Sequence, residues 1–117
     1  MIENVSKAHG RYLRGSPQKL RLVVDMIRGR AVPEALGILQ LSTKRASQVI
    51  EKVLRSAIAN AENIKPEVDV DELYVAAISV DPGPTLPTRI RPQPMGRAFP
   101  IIKRTSHVTV KLAEREA

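Results

Sequence analysis

No cysteine occurs in the 117 residues. That excludes a disulfide framework, a cysteine-based zinc site and a thiol nucleophile. It agrees with a reducing, cytosolic setting, where disulfides do not persist. Tryptophan is missing too, and the aromatic side chains reduce to Tyr12, Tyr74 and Phe99. Readers of single-stranded nucleic acid stack bases on exposed rings, so this scarcity argues against them. No apolar run nears the roughly 20 residues that span a bilayer, which leaves no expected membrane association. The opening stretch 1–11 is polar and basic, without the apolar centre of a signal peptide. Acidic residues are absent from one long tract, Pro82 through Leu112.

Positive charge is what remains. Lys and Arg number 19 against 12 Asp and Glu, a net charge of +7. An excess of this size points to a polyanionic partner. The length suits a single domain over 1–117, and such a chain buries roughly two-thirds of its unfolded surface, enough for a modest core. The charge is uneven. Residues 1–30 carry 7 basic and 2 acidic side chains, residues 31–81 carry 5 and 8, and residues 82–117 carry 7 and 2. Two basic ends of +5 therefore flank a middle of −3. Six of the nine prolines fall between Pro82 and Pro100, inside the second basic end.

Val5 to Leu13 reads as a strand with Lys7, His9 and Arg11 on one face and Ala8, Gly10 and Tyr12 on the other. Ser16-Pro17 is an N-cap followed by proline at the first helical position. Leu20, Val23, Val24 and Ile27 recur at helical spacing, and Gly29 is the stop. Lys19, Arg21 and Arg28 are left for the wetter face. Pro33 opens a second, shorter helix through Ala35, Leu36 and Leu39, which Gly37 weakens by about 1 kcal/mol. Ser42 or Thr43 caps a third, with Ala46, Val49, Ile50, Val53, Ala57 and Ala61 as its apolar stripe and an end before Pro66. Leu73 to Val80 and Ile101 to Leu112 read as strands. On the second, Val108, Val110 and Leu112 share one face. Lys103, Thr105, His107, Thr109 and Lys111 share the other, a basic, polar outer side.

The prolines between these runs forbid a helix or a central strand over Asp81 to Pro100. The flanking runs can pair as the arms of one extended hairpin, at about 81–103, reaching roughly 30 Å from the body at about 3.3 Å per residue. It carries Arg89, Arg91, Arg97, Lys103 and Arg104, so its surroundings are expected to be anionic. Leu86, Ile90, Met95 and Phe99 punctuate it, unlike a solvated linker. Its prolines narrow the unfolded ensemble and lower the cost of ordering inside a partner. A second basic surface comprises Lys7, Arg11, Arg14, Lys19 and Arg21, close to a chain turn where they can converge on a phosphate patch.

His9 and His107, with a nearby lysine, suggest acid–base cleavage of RNA. No paired carboxylate, glycine-rich phosphate loop or Ser/His/Asp arrangement accompanies them, so no enzyme is expected. Glu67, Asp69, Asp71 and Glu72 lack the spacing of a calcium loop and read as a solvated turn. No metal and no cofactor is expected. The other reading is a free-standing regulator that binds duplex nucleic acid through its first helix.

Five pieces of the sequence together resemble one family. They are Ser16-Pro17-Gln18-Lys19-Leu20-Arg21 leading to Ile27-Arg28-Gly29, then Ser56-Ala57-Ile58-Ala59-Asn60-Ala61, Val80-Asp81-Pro82-Gly83-Pro84, Gly96-Arg97-Ala98 and Arg104-Thr105-Ser106-His107. Their order and spacing are similar to bacterial large-subunit ribosomal proteins of the L-twenty-two family. The resemblance implies an α+β fold: a small three-stranded antiparallel sheet packed with three helices, plus a long extended β-hairpin. It implies a cytoplasmic, structural constituent of the large ribosomal subunit that binds large-subunit (23S) rRNA and assists assembly. Neighbouring large-subunit proteins and the nascent polypeptide are the other implied partners, and the chain is expected to be a monomer off the ribosome. Lys19 and Arg21 match the family's basic helix start, Arg97 its returning arm, and Arg104, Ser106 and His107 the base of that arm. With the basic residues named above, Arg28 and Lys111 included, these are the candidate rRNA contacts. In the family the hairpin lines the peptide exit tunnel, which assigns Thr88, Arg89, Ile90, Arg91, Pro92 and Gln93 to a tunnel-lining tip. Pro82 stands where the family often has glutamate and Met95 where it often has arginine.

Overall fold

Eight elements order the chain in a computed structural model that describes residues 4–84, 86–92, 94–96 and 98–114. They run β1 (Asn4–Arg14), α1 (Pro17–Ile27), α2 (Val32–Leu41), α3 (Arg45–Ile64), β2 (Leu73–Pro82), β3 (Leu86–Pro92), β4 (Ala98–Lys103) and β5 (Thr105–Glu114). The fold is α+β: three helices, a three-stranded antiparallel sheet in the order β1-β5-β2, and a separate two-stranded ribbon of β3 and β4.

The helices form where the local chemistry asks for them. Ser16 Oγ accepts the Lys19 N–H at 3.3 Å, and Pro17 fills a first-turn position whose N–H has no helical acceptor. Leu20, Val23, Val24 and Ile27 are all buried. Gly29, at φ 78, ends the helix in a conformation that a β-carbon disfavours. The third helix departs from expectation at its start. Lys44 is its N-cap and makes no side-chain cap bond. Ser42 is unavailable because it already ends α2, its N–H donating to Ile38, while its hydroxyl accepts the Lys44 N–H at 3.3 Å. The helix stops at Ile64, before Pro66.

The sheet lays its apolar face on α1 and α3. Val75, Ile78, Val80, Val108, Val110 and Leu112 are buried there against Ile50, Val53, Leu54, Ala57 and Ala61. Leu54 and Ser47 join the buried stripe of α3, whereas Ala46 and Val49 are only partly covered. Small residues set the spacing between α3 and β1. A β-carbon on Gly10 would lie 2.7 Å from Val53 Cγ2 and 2.8 Å from Leu13 Cδ1. Two long-range bonds fix this approach: Ser6 Oγ donates to the Ala57 carbonyl at 2.8 Å, and Asn60 Nδ2 donates to the Lys7 carbonyl at 3.0 Å.

Two expectations about the strands are corrected. First, β1 does not alternate to its end. Gly10 pairs with Val108 but Leu13 with Ser106, so one extra residue is inserted between them. This β-bulge turns Tyr12 away from the face it would share with Ala8 and Gly10, and leaves it 64% exposed. Second, Ile101 to Leu112 is not one strand with a uniformly polar outer side. It breaks at Arg104, and both Thr105 and Ser106 are buried beyond the break. They clamp the place where the ribbon leaves the body. The Thr105 hydroxyl donates to the Pro84 carbonyl, Gly83 N–H to the Thr105 carbonyl at 2.9 Å, and Ser106 Oγ to the Gly15 carbonyl at 2.8 Å. Gly83 leaves room for this, since a β-carbon would meet Thr105 Oγ1 at 2.7 Å.

Beyond the clamp the chain projects. β2 and β5 stay paired out to Pro82 and Ser106, and β3 and β4 continue the hairpin from Leu86 opposite Lys103 to Pro92 opposite Ala98. The molecule measures 67 × 25 × 22 Å, with a radius of gyration of 17.4 Å. A compact chain of this length has about 13 Å. The ribbon is therefore an arm.

Candidate nucleic-acid interface

Three of the expected cations meet at the foot of the arm, although one of them lies far from the other two in sequence. The clamp pins the β1–α1 turn to the start of β5, with Gly15 N–H donating to the Arg104 carbonyl at 3.2 Å. Arg14, Lys19 and Arg104 thereby come to line one groove between α1 and α3. Two residues that the sequence reading passed over complete it. Arg45 and Lys52, one from the first turn of α3 and one two turns on, line the opposite wall with Gln48. Seven residues is close to two helical turns, so they share a face. That spacing was readable, but the packing of α3 against α1 was not.

The five groove cations are all exposed, and no carboxylate lines the groove. None has an ion-pair partner among the described residues; the pairs there are Arg28–Asp25, Arg30–Glu34, Arg55–Glu51 and Lys65–Glu114. The four carboxylates paired among the described residues answer cations elsewhere, and none offsets the groove's charge. Like charges gathered in a concave surface raise the local potential and concentrate polyanions.

The outer face of the sheet continues this character. Lys7 and Lys111 sit opposite each other on β1 and β5, like charges across a strand pair, which is unfavourable until an anion intervenes. The next row pairs His9 with Thr109, joined through Nδ1 and Oγ1 at 3.1 Å. In the row after, His107 Nδ1 accepts the Tyr12 N–H at 3.1 Å, and Asp81 of β2 stands opposite His107. Arg11 is exposed beside them.

Other expected contacts lie elsewhere. Arg21 donates from Nη2 to the Val80 carbonyl at 3.0 Å, tying α1 to β2, so one of its donors is already used. Arg28 faces Asp25 at 3.4 Å. With one cation tethered and another paired, α1 presents no continuous basic face for reading a duplex groove. Ser106 is fully buried with its hydroxyl bonded to Gly15, a structural strut. Thr88, Arg89, Ile90, Arg91 and Pro92, expected at the tip, instead fall on β3 where it pairs with β4, so they belong to the outgoing strand and the turn follows at Pro94–Gly96; Lys103 ends β4. Arg97 and Gln93 lie outside the described residues.

The two histidines share the outer sheet face, yet each Nδ1 is engaged in a bond within the sheet. No group of three or more metal-ligating side chains occurs among the described residues. Asp69 accepts the Asp71 N–H at 3.0 Å, so the acidic cluster is a capped turn leading into β2. No helix among the described residues is long and apolar enough to cross a membrane.

The sequence profile of the family described as Ribosomal protein L22p/L17e matches residues 8–113. The chain belongs to this family. It is also 50% identical, over 111 residues, to the large ribosomal subunit protein uL22 of Solibacter usitatus (strain Ellin6076), an alignment covering 95% of this chain and 97% of that protein. Membership makes it a ribosomal protein of bacterial type, a ribonucleoprotein component of translation in the cytoplasm. The matched span contains all five groove cations, the clamp and the arm.

Proposed function

We propose that this chain is a structural, non-catalytic constituent of the large ribosomal subunit that holds folded 23S rRNA in its cationic groove and threads its arm between RNA segments. The observation that carries the proposal is the groove: Arg14, Lys19, Arg45, Lys52 and Arg104 converge without acidic partners at the root of a projecting ribbon. Phosphates bound there release condensed counterions, and backbone contacts position RNA without reading sequence. Arginine suits the task through its forked donors. Lys7, Arg11 and Lys111 extend the same surface across the sheet.

Groove and arm together would bridge RNA elements that are separate before assembly, which supports a role in forming the subunit. The arm would end as wall of the peptide exit tunnel, with the outer part of β3 from Thr88 to Pro92 and the turn at Pro94–Gly96 facing the nascent polypeptide and neighbouring ribosomal proteins beside it. The protein is a monomer until it is incorporated. Two measurements test this. Tagged chain should co-sediment with large subunits after a high-salt wash. Its affinity for an rRNA fragment should fall roughly 10³-fold or more between 50 and 200 mM salt, as for six or more phosphate contacts. Exchanging the five groove cations for glutamine should flatten that dependence. A flat response in the unaltered chain would overturn the phosphate reading.

A further inference from the structure

We infer that Tyr12 is a stacking platform for one unpaired RNA base, in a cleft walled by Arg11, His9 and His107. The inference deepens the proposed function and rests on it: it gives one point of an otherwise backbone-directed surface a base to hold.

The bulge in β1 is the first observation. An unbroken strand would send Tyr12 to the core face, with Ala8 and Gly10. Instead an extra residue turns it outward, at φ 56, a left-handed conformation that costs a non-glycine residue about 1–3 kcal/mol. Tyr12 takes up that strain and is still 64% exposed as a residue. Exposure of a large ring at a strained position is not explained by packing.

The second observation is how the ring is held. The Tyr12 N–H donates to His107 Nδ1 at 3.1 Å, which locks the bulge to β5. The two rings then meet at right angles, centroids 4.9 Å apart and planes at 86°. A perpendicular contact fixes the tyrosine's orientation and occupies at most one of its faces. Stacking of a base needs one free, rigid face.

The third observation is the surroundings. His9, Arg11, Tyr12, His107, Val108 and Thr109 line one cleft, and no carboxylate is among them. Arg11 has no ion-pair partner among the described residues, so its guanidinium is available for the phosphate attached to a stacked base. A base that has left its helix supplies a ring and an adjoining anion. The cleft supplies the complement of both.

The test uses the full chain and two probes of equal charge: octauridylate, and an octamer of the same ribose-phosphate backbone without bases. The unaltered chain should prefer the base-bearing probe by roughly 5- to 150-fold, the range that 1–3 kcal/mol per stacked base corresponds to. Tyr12→Phe should keep the preference. Tyr12→Leu should abolish it while leaving the salt dependence of both probes intact. Tyr12→Asn repeats the ring removal with a side chain that tolerates positive φ, so a folding defect in the leucine variant cannot masquerade as the result. Equal binding of both probes by the unaltered chain, or a preference that survives loss of the ring, would overturn the platform. Loss of salt dependence on both probes would instead overturn the phosphate reading on which it rests.

Discussion

The body and the arm share one long hairpin, yet its two halves are held in place by different means. Within the body, β2 and β5 have a third strand beside them and a helical layer over Val75, Ile78, Val108 and Val110. In the arm, β3 and β4 pair only as a two-stranded sheet, with Pro87, Pro92 and Pro100 removing backbone donors from it. An isolated two-stranded hairpin is marginal in water. The free energy of folding therefore belongs to the body, and the arm is shaped for surroundings that supply its second layer. The clamp of Gly15, Gly83, Thr105 and Ser106 divides the two regimes and aims one from the other.

The largest effect should come from the body's core. Leu54 is fully buried between the sheet and the other helices. Leu54→Ala is expected to cost about 2–5 kcal/mol, through lost burial and the cavity left behind. A urea melt followed by far-ultraviolet dichroism would show it as a lowered midpoint at unchanged slope. A much smaller loss would mean that the body collapses around the gap, and that its core is less specific than its packing suggests.

Next in size is Gly10→Ala. The new methyl would press on Val53 and Leu13 at under 3 Å, and Val53 is a stiff, branched side chain on a helix. Overpacking costs about 1–3 kcal/mol, offset in part by the smaller entropy of the unfolded alanine chain, so a net loss of about 1–2 kcal/mol is expected. The same melt measures it. A neutral result would show that α3 can move off β1, weakening the contrast with the arm.

How much of this was legible beforehand depends on the range of the interactions. The α1 stripe, its Ser16 cap and its Gly29 stop act within one turn of helix, and all three could be read from spacing. The inward row Val108, Val110 and Leu112 followed from alternation. Alternation failed at Tyr12, because a one-residue bulge reverses faces and leaves no compositional mark. It failed again at Thr105 and Ser106. Their hydroxyls suggest surface, but Pro84 and Gly15 satisfy them from distant parts of the chain. The groove was half legible for the same reason: Lys19 and Arg104 were visible as cations, whereas Arg45 and Lys52 gained their meaning only when α3 packed beside α1.

A smaller effect is expected where the body's two late elements are tied at the surface. Lys65, just past α3, donates to Glu114 of β5 at 2.6 Å. That bond, and the carboxylate's charge, raise the lysine's pKa above its ordinary 10.5. A raised lysine pKa stabilises the fold while the unfolded chain is still protonated, so the contribution is fully present below about 10.5 and is lost as pH climbs through the raised value. Lys65→Met should therefore lower the melting temperature slightly at neutral pH, and the gap should close in strongly alkaline buffer. Both side chains are substantially exposed, so added salt should shrink the gap as well. A gap that persists unchanged above the lysine range would assign the effect to packing of the lysine stem instead.

The smallest effect on stability should follow the largest excision. Removing residues 85–97 takes away β3 and the tip but leaves the last rung of the clamp, Gly83 N–H to the Thr105 carbonyl at 2.9 Å. If the arm adds nothing to the body, the excised chain differs only in having a shorter loop to close, and halving a loop gains about 0.6 kcal/mol. The melting temperature should then stay level or rise slightly. A clear fall would mean that the ribbon props the clamp from outside, and the division between body and arm would have to move outward along the hairpin. The same variant separates the two surfaces proposed to face RNA. With the groove intact it should keep the salt-dependent affinity for an rRNA fragment, so any loss in forming stable large subunits would be due to the arm alone.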